Sequence, residues 1–192
     1  MPIRLVVESG PYRGIQRADV ARRAKAMLDL LQMPDAELSV LLTGDDGIQR
    51  LNHQYRGYNR PTDVLAFAQR EGPLGDRAGR LLGDVVVSVP TARRQAQERG
   101  RGVVSELTEL LAHGLLHLLG YEHDTPSKDR RMRRETDRLC AAAEDERASR
   151  ASVRSPRERP REGGRKGRKT RLSSTVRQAG PSKAKRNRAG RK

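Results

Sequence analysis

Residues 113–123 read HGLLHLLGYEH, and the reading of this stretch decides both the fold and the chemistry of the chain. His113 and His117 are four apart, so on an α-helix they project from one face, one turn above the other. Leu107, Leu110, Leu111, Leu115 and Leu118 recur at helical spacing around them. A helix opening near Ser105 is therefore anchored in a core, which holds the histidine face rigidly. Gly120 can turn the chain back and deliver His123 to the same place. Three converging imidazoles suit a divalent metal with a preference for nitrogen, and three protein ligands leave one coordination position open, as in catalytic zinc. The chain has four histidines, and three fall within these eleven residues. That clustering argues against the bland alternative of unconnected surface or interface histidines.

Outward from this helix the sequence alternates between strand and helix signals. The spacing predicts strands over residues 3–8, 38–42, 63–67 and 81–89. The last contains Asp84-Val85-Val86-Val87-Ser88-Val89, and Pro90 stops it. Helices are expected over 19–31, 45–55, 91–99, 105–119 and 126–143. Thr125 is a natural N-cap for the last of these, and Pro126 suits its first position. Residues 69–80, rich in Gly, Arg and Glu, read as an exposed loop. The expectation is an α+β fold: one domain with a mixed sheet of about four strands, packed by helices that include the histidine helix.

Charge divides the chain in two. Residues 1–146 hold as many acidic as basic side chains. Residues 147–192 hold 18 Lys and Arg against only Glu158 and Glu162, so the net charge of +16 lies entirely in that segment. It contains no aromatic residue, and its few aliphatics are scattered. It cannot bury enough apolar surface to offset the entropy of ordering, so a disordered Arg/Lys-rich tail is expected. Runs such as Arg165-Lys166-Gly167-Arg168-Lys169 favour a polyanionic partner, RNA above all, with salt-sensitive and unselective binding. The alternative is a solubilising extension with no partner of its own. Cys140 is the only cysteine, which excludes an internal disulfide and a cysteine metal cluster. The N-terminus lacks the apolar run of a signal peptide and no stretch approaches a membrane span, so a cytoplasmic setting is expected.

The spacing His113, His117, Gly120, His123 matches the metalloprotease frame H-E-x-x-H-x-x-G-x-x-H. In that frame the residue after the first histidine is the glutamate that acts as general base. Here it is Gly114, which cannot take a proton. Peptidase activity would need another carboxylate, such as Glu122, and is disfavoured.

The stretch HGLLHLLGYEH resembles the hallmark H-G-x-L-H-L-x-G-Y-D-H of the YbeY family, with Glu122 in the aspartate position. LNHQYRGYNRPTDVLAF (residues 51–67) and LLGDVVVSV (residues 81–89) are similar to two further family blocks, and Met132 and Glu135 fit its downstream pattern. The likeness spans residues 36–140 and leaves the basic tail outside it. The resemblance implies a zinc-dependent, single-strand-specific endoribonuclease acting in 16S rRNA 3′-end maturation and ribosome quality control. It implies one Zn²⁺ per chain on His113, His117 and His123. It implies Arg56 as the cation facing RNA phosphate, and Asp84 as a carboxylate near the site that orients a ligand or handles a proton. The implied partners are rRNA and ribosomal particles, with ribosomal proteins or a GTPase among proteins. A ribosome-biogenesis binding factor with little nuclease activity is the alternative. Thr62 and Asp63 read equally as site or turn residues. The chain departs from the family pattern at Tyr58, where a lysine is usual and Arg60 is the candidate replacement, and at Ala66 and Ala68. Those changes bear on substrate contacts and leave the metal ligands intact.

Overall fold

The computed structural model describes residues 3–69 and 79–153, with side chains to Asp145. Four strands form one sheet: β1 (Ile3–Val7), β2 (Glu37–Thr43), β3 (Val64–Ala68) and β4 (Leu81–Ser88). Their order is β1-β2-β4-β3, with β1, β2 and β4 parallel and β3 antiparallel at the edge. Five helices connect and cover them: α1 (Arg17–Leu30), α2 (Asp45–Arg56), α3 (Val89–Glu98), α4 (Val103–Leu118) and α5 (Pro126–Val153). This is the expected α+β architecture with a mixed four-stranded sheet.

Strand alternation sorts the sheet into two faces. Leu38, Val40 and Leu42 of β2 and Val85 and Val87 of β4 join the main core, with Met27 and Leu28 of α1 and Leu111, Leu115 and Leu116 of α4. Leu65 and Val86 point the other way, to a smaller cluster under Ile48 of α2. Helix α4 is central. Ten of its sixteen residues are buried, and it contacts α1, α3, α5, β3 and β4. Its polar stripe is narrow: Glu109, His113 and His117, four residues apart, come to the surface on one side. An alanine in place of a core leucine such as Leu115 would cost about 2–5 kcal/mol, so this stripe is held by packing rather than by the histidines.

Buried polar groups join the helices. Glu106 is fully buried, and it accepts from Arg99 (2.9 Å) and Arg101 (2.5 Å) in the α3–α4 connection. Arg23 donates to Thr108 across the α1–α4 contact at 2.9 Å. Asp45, at the start of α2, accepts from Ser88, from Thr91 (2.7 Å) and from Arg94 (2.9 Å), which ties α2 to the beginning of α3. Burial alone would raise the Asp45 pKa, but these donors outweigh it and hold the carboxyl below its ordinary value. A lowered folded-state pKa adds stability that is present above the ordinary aspartate range and lost as pH falls through the folded value. Asp45→Asn should therefore lower the urea midpoint at neutral pH and shrink the loss of midpoint on going below about pH 4. Urea titrations at the two pH values measure both effects.

Element boundaries follow capping chemistry. Ser88 accepts from the Thr91 amide, so α3 opens at Val89-Pro90, where the strand was expected to stop. Thr125 accepts from the Lys128 amide and starts α5 as expected. Helix α4 starts two residues early, after Gly102. Helix α5 continues past 143 to Val153, so the first residues of the segment expected to be disordered are helical. Alanine, glutamate and arginine dominate there, and proline does not recur until Pro156. Residues 154–192, and 70–78 of the expected loop, lie outside the described residues.

Candidate metal centre and its cleft

Two helix ends deliver the site. At the end of α4, Gly120 adopts φ +77°; its amide donates to the His117 carbonyl (3.0 Å), and the Tyr121 amide donates to Leu116 (3.0 Å). This is the hydrogen-bond pair of a Schellman ending, and glycine is favoured at its left-handed position. The chain reverses there and carries His123 back over the helix end. At the end of α2, Gly57 adopts φ +76° and caps the His53 carbonyl. That places Arg56 on the last turn and starts the segment 58–63 that leads into β3.

The three imidazoles meet. His113 and His117 ring centroids are 4.7 Å apart, His117 and His123 5.3 Å, and His113 and His123 5.6 Å. One ligand atom from each lies within 4.8 Å of the others. The Nε2 atoms of His113 and His117 are 3.2 Å apart. Two nitrogens bound to tetrahedral zinc at about 2.0–2.1 Å stand about 3.4 Å from each other, so this pair fits such an ion. Protonation fits as well. Burial, then the neighbouring His113 and His123, pushes His117 down to about 4. Burial, with His123, also lowers His113, although Asp63 and Glu109 oppose it. Neutral imidazoles offer the free lone pair a cation needs.

An open cleft of about 580 Å³ surrounds the histidines, lined also by Arg56, Tyr58, Arg60, Asp63 and Tyr121. Arg56 reaches past the edge strand and spends one donor on the Ala66 carbonyl at 3.2 Å. Its exposed guanidinium keeps further donors for an anion. Asp63 is the half-buried carboxylate of the cleft. Burial would raise its pKa, but Gln95 (2.9 Å), the Val64 amide (2.8 Å) and Thr62 (3.1 Å) donate to it and keep it below the ordinary value. Glu122 also borders the cleft, exposed and paired with Lys128 at 2.6 Å.

One expected site residue lies elsewhere than the sequence reading placed it. Asp84 is not in the cleft. It sits one residue from Val85, whose side chain packs under α4, so the pleat turns Asp84 to the opposite face. There it lines a separate groove with Arg4, Tyr55 and Phe67. The carboxylate facing the histidines is Asp63, which spacing alone left ambiguous; its signal was a Thr-Asp pair directly after Pro61. Gly114 has a packing role as well as lacking a base. A Cβ there would lie 2.7 Å from Val85 Cγ1 and 3.2 Å from Val64 Cγ2, so any side chain would press on the helix-to-sheet contact at the floor of the cleft. Cys140 is half-buried, and burial pushes its thiol up to about 12, which leaves no nucleophilic thiolate at neutral pH. Among the described residues no helix is long and apolar enough to cross a membrane.

The sequence profile of a family described as endoribonuclease YbeY matches residues 12–144. Similar proteins carry the same description. One from Anaeromyxobacter sp. (strain Fw109-5) is 46% identical over 142 residues, covering 74% of this chain and 72% of the relative. One from Geobacter sulfurreducens is 44% identical over 124 residues, covering 64% and 83%. A solution structure of a Thermotoga maritima protein superposes with a TM-score of 0.54 at 25% identity, covering 82% of this chain and 99% of that one. Sequence, fold and cleft therefore agree: this chain belongs to the YbeY family of endoribonucleases.

Proposed function

We propose that the chain is a zinc-dependent endoribonuclease that cuts single-stranded rRNA, in 16S 3′-end maturation and ribosome quality control in the cytoplasm. The observation that carries this reading is the convergence of His113, His117 and His123 in an open cleft beside Arg56. His113, His117 and His123 would hold one Zn²⁺, which when bound supplies Lewis-acid stabilisation of charge at a phosphoryl group and activates water. The rest of the chemistry belongs to the chain. The guanidinium of Arg56 pairs with a non-bridging phosphate oxygen and positions the backbone across the cleft. Asp63, kept ionised by its three donors, puts a fixed negative charge opposite the histidines and favours a cation there.

Family membership favours RNA over peptide as the substrate, and Gly114 adds to this by leaving the peptidase frame without its base. We assign residues 1–146 to the nuclease domain and 147–192 to a basic extension that adds unselective contact with the RNA backbone, with rRNA in ribosomal particles as the partner. Digestion of a single-stranded rRNA fragment alongside a peptide library tests the reading. RNA cleavage without peptide cleavage is expected, and the reverse pattern would reject it. Removal of residues 154–192 takes away 16 of the 18 basic side chains beyond residue 146. It should reduce the slope of log affinity against log salt by several units at unchanged zinc content, because each phosphate contact on a single strand contributes about 0.7 to that slope. An unchanged slope would remove the extension from RNA binding.

A further inference from the structure

The segment between α2 and β3 presents an aromatic ring that the metal chemistry does not use. Tyr58 is 59% exposed and lies on the wall of the cleft that holds the three histidines. Its backbone is fixed from several directions. The Tyr58 amide donates to the Asn52 carbonyl at 3.3 Å, and the Arg60 amide donates to the Tyr58 carbonyl at 2.9 Å. The buried Asn52 side chain donates to the Arg60 carbonyl at 2.8 Å, and Gln49 donates to the Asn59 side chain at 2.9 Å. Pro61 then sets the backbone entering β3. An exposed ring on so restrained a segment gains little from burial in the folded chain, yet loses little entropy when something settles on it.

The Arg60 guanidinium lies over the ring, 5.7 Å from its centroid. A cation on one face leaves the rest of this ring open to solvent. A second Tyr–Arg pair, Tyr121 with Arg131 at 4.9 Å, borders the same cleft, but Tyr121 packs against the core and is half-buried. Unpaired nucleobases stack on exposed aromatic rings and on arginine planes, without sequence preference because every base has a π-face. Bases inside a duplex are stacked on one another and cannot reach such a ring.

We propose that Tyr58, backed by Arg60, is a stacking platform that seats one unpaired nucleobase next to the phosphate held at the histidine centre. The inference rests on the endoribonuclease reading and gives that site a source of single-strand selectivity. Tyr58 is a positioning residue, and Arg56 and the histidines keep their own roles.

The chain contains no tryptophan, so Tyr58→Trp in the full-length protein places a single indole at the platform. Binding of a dye-labelled, cleavage-resistant phosphorothioate oligoribonucleotide is followed by dye anisotropy and by indole fluorescence in one titration. Quenching that saturates with the anisotropy is expected, and an abasic oligomer of equal charge should raise anisotropy with little quenching. On cleavable RNA, Tyr58→Ala should raise KM roughly tenfold, with zinc content unchanged and the penalty absent on abasic substrate. Anisotropy without quenching, or equal quenching by the abasic oligomer, would overturn the stacking role and leave the nuclease reading standing. No anisotropy change with any oligomer would reject RNA binding itself, and the platform with it.

Discussion

Replacing His117 with alanine is expected to abolish stoichiometric metal binding and to lower RNA cleavage by roughly a thousandfold or more. His117 is the middle of the triad. Its Nε2 lies 3.2 Å from that of His113, and its ring centroid 5.3 Å from that of His123. With it gone, only His113 and His123 remain, with ring centroids 5.6 Å apart, and two imidazoles bind a divalent ion far more weakly than three. Fold loss is not the expected cause. Leu111, Leu115 and Leu116 anchor α4 independently of the histidine stripe, and the charge-depressing burial at His117 means that alanine removes no buried ion. The variant should therefore keep its circular dichroism and unfolding cooperativity while losing zinc and activity. Metal analysis and a single-turnover cleavage assay on the same preparation measure both.

The second large effect concerns stability. Gly114→Glu restores the letters of the peptidase motif but should destabilise the protein by about 3 kcal/mol or more. The added Cβ alone would press on Val85 Cγ1 at 2.7 Å, and both that atom and Val64 Cγ2 belong to stiff β-branched side chains on the sheet. The carboxylate would then have to be buried without a donor or drive α4 off the sheet. Gly114→Ala isolates the steric part. Alanine gains up to about 1 kcal/mol of helix propensity, so a net loss of stability shows that the contact outweighs it. Urea midpoints for the two variants, with peptide digestion by the glutamate variant, check the claim. A well-folded Gly114→Glu protein would show that this packing is not the constraint.

Much of this fold was legible before any coordinate, and the reasons are local. The leucines of residues 105–118 bury one face of a helix and the run of valines at 85–87 fills both faces of a strand, and those patterns mark a helix and a strand wherever the rest of the chain goes. Local chain-end signals did similar work: Thr125 and Gly120 set element ends through hydrogen bonds to their own neighbours. The histidine cluster was legible for the same reason, since all three imidazoles lie on one helix and the turn that ends it.

Long-range placement was not legible. Asp84 was expected near the site because the family resemblance implied it, but which face of a strand meets the histidine helix depends on register and pleat. A shift of one residue in β4 would have exchanged Asp84 and Val85. Asp63 reaches the cleft only because β3 pairs antiparallel at the sheet edge and Gln95, thirty-two positions away, donates to its carboxylate. The meaning of Gly114 changed similarly. A missing general base is visible in sequence, whereas a helix-to-sheet contact that admits no Cβ is visible only once α4 lies on β4.

The proposed function depends on three histidines holding one catalytic ion in a cleft that cuts RNA. Purified full-length protein, stripped by chelation and titrated with Zn²⁺ while cleavage of a single-stranded rRNA fragment is followed, tests it most directly. The stripped protein is expected not to cleave, and activity should rise linearly with added zinc and break at one zinc per chain. Full cleavage by the metal-free protein would contradict it.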